Sequence, residues 1–210
     1  MASNIVTARS LASFFELNHP CFESSVSDIE TLEEITQIRD NADLLVDQTA
    51  IEQAISELAS LVSRDYADSN PLLLMALKGG CHLGVKLMEQ LDFPLQIDVL
   101  QMTRYRDGLS GGSLQILAEP ATPLTGRQVI IIDDILDQGI TLQGMIDYCV
   151  NQQAAAVCSV VLVDKQCQRP TDIKADYVGL EAPDRYLFGC GMDYKGYWRN
   201  LPALYAVNHS

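Results

Sequence analysis

Basic side chains are scarce in this chain. Its 210 residues carry 14 Lys and Arg against 28 Asp and Glu, a formal charge of −14. That balance argues against a broad nucleic-acid-binding face or an anionic membrane as the partner. Histidine is scarcer still. The three, at positions 19, 82 and 209, form no ligand-like cluster, so zinc chemistry and a Ser-His-Asp hydrolase are not expected, and His82 reads as a packing residue in a helix. The cysteines at 21, 81, 149, 158, 167 and 190 include no CxxC pair. They read as reduced core thiols of a cytoplasmic protein. No apolar run is long enough to cross a membrane, and residues 1–20 lack the basic start and continuous apolar segment of a secretion signal. There is no internal repeat and no low-complexity linker. What the chain does have is a hydrophobic content of 48%, ample for the core of one domain with a small appendage.

The most informative stretch is 129–141. Val129, Ile130, Ile131 and Ile132 are four consecutive aliphatic residues, the pattern of a strand covered on both faces in the middle of a parallel sheet. Asp133 and Asp134 follow at its carboxyl end, where ligands of open α/β sheets bind. Asp137, Gly139 and Thr141 then lead into a helical pattern of Leu142, Met145, Ile146 and Val150. Backbone N–H groups at a helix start, beside a Thr hydroxyl and a Gly that permits close approach, can hold a phosphate monoester. One segment thus offers acids for hydroxyls or Mg²⁺ and N–H groups for phosphate, as a sugar-phosphate site requires. A plainer reading makes Asp133-Asp134 a solvated strand end and Asp137 a helix cap.

The rest of the chain alternates strands and helices. Short helices are expected at 10–17 and 31–38. A capping box of Thr49 and Glu52 precedes a helix with Ile51, Ile55, Leu58, Ala59 and Val62 on one face, ending near 68–71. Residues 72–77 read as a buried strand, and Lys78-Gly79-Gly80 as a turn into a helix through about Leu91, where the backbone and the ammonium could meet a second anionic group. Further strands are expected at 97–103, 114–117, 128–132, 154–164, 175–180 and 186–189, with a glycine-rich, mobile loop at 104–113. Alternation of this kind gives an α/β fold with a central parallel sheet flanked by helices.

The order of four hydrophobic residues, two acids, two hydrophobics, an acid and a Gly/Thr loop resembles the 5-phosphoribosyl-1-pyrophosphate (PRPP) signature of the type I phosphoribosyltransferases. Leu77-Lys78-Gly79-Gly80, Asp164-Lys165, the stretch 177–189 and the later Met192-Asp193-Tyr194 and Arg199 match, in order, the 6-oxopurine members of that family. The resemblance runs from about residue 40 to the end. It implies a phosphoribosyltransferase domain over 36–210 with a base-binding hood built from 166–210, and an extension at 1–35 packed on the domain. It implies further that Asp133, Asp134, Asp137, Gln138, Gly139, Ile140 and Thr141 bind the ribose phosphate, and that Lys78, Gly79 and Arg199 bind pyrophosphate, with a cis peptide at Lys78–Gly79. On the same resemblance, Arg104 and Tyr105 would lead a closing loop. On the base side it implies that Lys165 donates to the purine 6-oxo group, Tyr186 stacks on the ring, Leu187 presents backbone groups to its edge, and Asp193 approaches the base and holds Mg²⁺, with Asp133 and Asp134 acting through water or ribose hydroxyls.

The activity so implied is purine salvage: hypoxanthine or guanine is joined to PRPP, with Asp137 taking the N7 proton and Mg²⁺ as cofactor, in a homodimer or homotetramer. The rivals are a phosphoribosyltransferase for xanthine or a pyrimidine, and a PRPP-sensing regulator. Asp133 stands where relatives often carry Glu, Gln138 where many have Thr or Glu, Ile140 where many have Lys or Arg, and Arg104 where many have Ser.

Overall fold

The computed structural model describes residues 31–104 and 114–208. In chain order these form α1 (Leu32–Asp40), β1 (Asp43–Val46), α2 (Gln48–Tyr66), β2 (Leu72–Ala76), α3 (Gly80–Met88), β3 (Gln96–Arg104), β4 (Leu114–Ala118), β5 (Gln128–Leu136), α4 (Ile140–Asn151), β6 (Ala156–Gln166), β7 (Tyr177–Pro183), β8 (Leu187–Phe188) and β9 (Leu204–Ala206). The helix expected at 10–17, and most of the loop expected at 104–113, lie outside the described residues. No helix among the described residues is long and apolar enough to cross a membrane.

Six strands make the main sheet in the order β4-β3-β2-β5-β6-β7. All neighbours are parallel except β4, which runs antiparallel to β3 at the edge. The aliphatic runs occupy the centre because strands covered on both faces need apolar side chains at every position. Leu73, Ile130, Ile132, Val160 and Leu162 pack with α2 and α3 on one face. Their sequence neighbours Leu72, Leu74, Val129, Ile131 and Val161 pack with α4 on the other, as the two-residue period of a strand demands.

A second, three-stranded antiparallel sheet has the order β1-β9-β8. It lies within the hood expected over 166–210 but takes β1 from the other end of the domain. α1 joins it. The indole Nε1 of Trp198 donates to the Ile35 carbonyl at 2.9 Å, and Ile35 is buried, so this helix spans the boundary drawn at residues 35 and 36.

Several local expectations are corrected. α2 is capped by Asp47, whose side chain accepts from Ala50 N at 2.9 Å. Thr49 is already inside the first turn and cannot take the extended conformation that a cap needs. The full capping box lies instead on α1, between Thr31 and Glu34. β5 does not stop before its acids: pairing with β6 carries the strand through Asp133 to Leu136, although pairing with β2 ends at Ile132. Gly139, at φ +75°, stands at the N-cap of α4 with no side-chain bond, so Asp137 is not spent on capping. The cis peptide falls at Leu77–Lys78, one bond before the place expected.

The lower edge of the sheet is tied to α2 by Asp65, whose carboxylate is forked by Arg64 at 2.6 and 2.7 Å and accepts from the Tyr177 hydroxyl at 2.6 Å. These bonds favour the ionised form and lower the Asp65 pKa to about 2. A carboxyl depressed on folding adds stability above its unfolded pKa of about 4 and loses it as pH falls through the folded value. Asp65→Asn is therefore expected to melt below the parent chain at pH 7. Thermal melts should show that gap closing between about pH 4 and pH 2.

Candidate active site

The site lies where the central strands end unequally. β2 stops at Ala76 while β5 and β6 run on together, so Asp133 and Asp134 lose a strand neighbour on one side and face the turn at Lys78 and Gly79. That turn runs so close that a Cβ on Gly79 would overlap the Asp134 carboxylate, and one on Gly80 would overlap the Ile132 carbonyl. Glycine is required at both places for the approach.

Two cavities meet at these acids. One, of about 380 Å³, is walled by Lys78 and Gly79, by Asp133, Asp134 and Asp137, by Lys165, and by Tyr186, Leu187, Asp193 and Arg199 of the hood side. The other, of about 290 Å³, is lined by Arg104 and by Asp133 through Leu142, which includes Gln138, Gly139, Ile140 and Thr141. Every site residue predicted from the sequence lines one or both, except Tyr105, which falls outside the described residues.

The charges are arranged in pairs. Asp134 is buried, at 6% exposure, beside a less buried Asp133 whose Oδ1 accepts from Asp134 N at 2.9 Å. Burial raises both carboxyl pKa values, and the charge of Asp134 raises Asp133 further, well above the ordinary aspartate value. Arg199 works the other way. Its Nη1 lies 3.9 Å from Asp134 Oδ2 and donates to the Gly191 carbonyl at 2.6 Å, while Nη2 is paired with Asp193 Oδ1. Asp193 Oδ2 accepts from Gly196 N at 2.6 Å, which holds the carboxylate towards the cleft.

At the end of β6 the Lys165 ammonium sits between Asp137 Oδ1 at 3.3 Å and Asp184 Oδ1 at 3.2 Å. Burial opposes its charge, but the two carboxylates outweigh burial and raise its pKa above the ordinary lysine value. Tyr186 is no core aromatic. It is 46% exposed and braced edge-on by Tyr194 at 5.4 Å between centroids, which leaves a ring surface for a flat ligand. Leu187 is buried within β8.

A phosphoribosyl transferase domain matches residues 41–195, which takes in all of this site but Arg199. The chain belongs to that family. Among relatives of this phosphoribosyl transferase domain, the hypoxanthine-guanine phosphoribosyltransferase of Bacillus subtilis is 34% identical over 162 residues, which cover 77% of this chain and 90% of the relative. The protein of that name from Streptococcus thermophilus is 36% identical over 165 residues, covering 78% and 92%. Of the solved structures, a hypoxanthine phosphoribosyltransferase from Staphylococcus aureus superposes with a TM-score of 0.77 at 26% identity, over 86% of this chain and 97% of that one. A hypoxanthine-guanine-xanthine phosphoribosyltransferase gives 0.74 at 28% identity, over 81% and 99%. The type I phosphoribosyltransferase fold expected from the motifs is thereby shown.

Sequence reading missed Asp184 and Arg169. Asp184 was within a matched stretch but had no role until Lys165 was seen beside it. Arg169 sits in no motif, and two of its four partners are backbone carbonyls from residues about thirty positions away, so no local pattern announces it.

Gly79 has an ordinary φ of −65°, so substitution there tests contact alone. Gly79→Ala is expected to cost about 1–3 kcal/mol in a urea titration, the usual penalty for forcing atoms into a packed site. A stability equal to the parent's would mean that Asp134 moves aside freely.

Proposed function

We infer that this phosphoribosyl transferase domain transfers the 5-phosphoribosyl group of PRPP to N9 of hypoxanthine or guanine, giving the nucleoside 5′-monophosphate and pyrophosphate. The observation that carries this reading is the position of Asp137. It walls both cavities, with a helix start suited to phosphate on one side. On the other, Lys165 lies 3.3 Å from its carboxylate in the cavity that Tyr186 also lines.

In this reading the purine lies against Tyr186, with its 6-oxo group towards Lys165 and its far edge towards Leu187 and Asp193. Asp137 accepts the N7 proton as N9 bonds to C1′, and the C1′–O bond to pyrophosphate breaks. Asp133 and Asp134 hold the ribose hydroxyls and offset positive charge on the ring, while Lys78, the Gly79 backbone and Arg199 receive the departing anion. Gln138 through Thr141 take the 5′-phosphate. Arg104 is the basic residue among the described ones lining that second cavity, where Ile140 has no charge to offer. Among the described residues no three His, Cys, Asp or Glu side chains are placed to hold a metal by themselves. Separate hard carboxylates at Asp193 and at Asp133-Asp134 do suit Mg²⁺, which takes one or two carboxylates and keeps waters and substrate phosphates. Mg²⁺ bound with PRPP would neutralise charge on the leaving pyrophosphate.

Incubation with PRPP, Mg²⁺ and, in turn, hypoxanthine, guanine, xanthine, adenine and uracil tests the assignment. Nucleotide is expected with the first two. Product with uracil or adenine alone would reassign the base, and PRPP binding with no product from any base would make the chain a sensor. Asp137→Asn is expected to lower kcat by about 10²–10⁴ with PRPP affinity retained, the range for loss of a general base. Turnover near that of the parent would remove Asp137 from this role. Lys165→Gln is expected to raise KM for the 6-oxopurine about tenfold or more, since a lost charged hydrogen bond is worth about 1.5–3 kcal/mol. The KM for PRPP should move far less, and equal loss of both would count against base recognition by Lys165.

A further inference from the structure

The segment between β6 and β7 straps down the loop that joins β5 to α4. Arg169 Nε donates to the Asp137 carbonyl at 2.6 Å, and its Nη2 donates to the carbonyls of Leu136 at 3.0 Å and Lys165 at 2.5 Å and pairs with the Asp164 carboxylate. The Thr171 hydroxyl donates to the Gln138 carbonyl at 3.1 Å. Three successive carbonyls, 136, 137 and 138, are therefore held on one side by side chains of a single strap. In a trans peptide the C=O of one residue and the N–H of the next point in opposite directions. Holding these carbonyls against the strap turns the N–H groups of Asp137, Gln138 and Gly139 away from it. Ile173 and Thr171 also fill the space where a side chain at residue 139 would stand.

The other end of the clamp is fixed. Asp164 and Lys165 are held in the sheet by pairing with Glu181 and Ala182 of β7, so Arg169 ties a loop to a strand end that cannot follow it. The side chain is partly buried, with 15% of it exposed, and its planar fork matches acceptors spread around it.

We propose that Arg169, assisted by Thr171, is a positioning residue that sets the loop 137–139 in the one orientation that presents its N–H groups and the Asp137 carboxylate to substrate. The proposal rests on the phosphoribosyl-transfer reading of the site. Arg169 is not among the residues that line either cavity.

The test uses the full chain with Arg169→Lys, which keeps the charge but not the fork, and Thr171→Val, which keeps the shape but not the hydroxyl. For Arg169→Lys, KM for PRPP is expected to rise and kcat to fall, each by about tenfold, because a misaimed site loses orientation. KM for hypoxanthine should rise less than KM for PRPP, since Lys165 is also held by the pairing of β6 with β7. Amide hydrogen exchange at residues 137–139, read without any turnover, should quicken by about tenfold in Arg169→Lys and to a lesser degree in Thr171→Val. Unchanged exchange and unchanged KM for PRPP would overturn the proposal. So would an Arg169→Lys chain that is unfolded at the assay temperature while Thr171→Val matches the parent in every readout, because Arg169 would then serve the fold alone. If the parent chain makes no nucleotide with any base, the functional reading fails, and the exchange measurement still decides whether the clamp exists.

Discussion

The whole site depends on one mismatch in strand length. β2 ends while β5 and β6 continue as a pair, so the sheet has a step in its carboxyl edge. Two carboxylates stand on the riser of that step, and the glycine turn after β2 folds closely over Asp134, which is buried. Burial of this kind is unfavourable for an ionised pair unless charge is supplied opposite it. Arg199 is placed to supply part of it, and a cationic ligand would supply more.

Acidic excess and phosphate chemistry are compatible here because the few cations near the site are fixed rather than numerous. Lys165 is held between Asp137 and Asp184, Arg199 between Asp193 and Asp134, and Arg169 against Asp164. Each is partly buried, where a pair interacts more strongly than it would on a solvated surface.

The parts of the molecule legible in the sequence are those whose physics is local. Four aliphatic residues followed by two acids place β5, its depth and its ligand-facing end without reference to anything distant. The period-two division of the core into two faces follows as directly. β1 and β9 were not legible. β1 has four residues, two of them exposed, and β9 has three, too few for a pattern to rise above its surroundings. The cap of α2 was misplaced by two residues because Thr49 and Glu52 have the right spacing, and only backbone geometry distinguishes Asp47 as the residue outside the helix. The residues named from motif order line the two cavities, yet motif order could not find Arg169, whose partners come together only when β5 and β6 are already side by side.

The small sheet can close only late in synthesis. Its middle strand, β9, is the last described element to leave the ribosome, whereas one of its edges, β1, is among the first. β1 and β8 have no contact in the sheet except through β9. The main sheet can therefore assemble around its acids while the wall formed by Tyr186 and Leu187 is still unsupported. A nascent chain would have the phosphate-facing half of its cleft before the half that faces the aromatic ring.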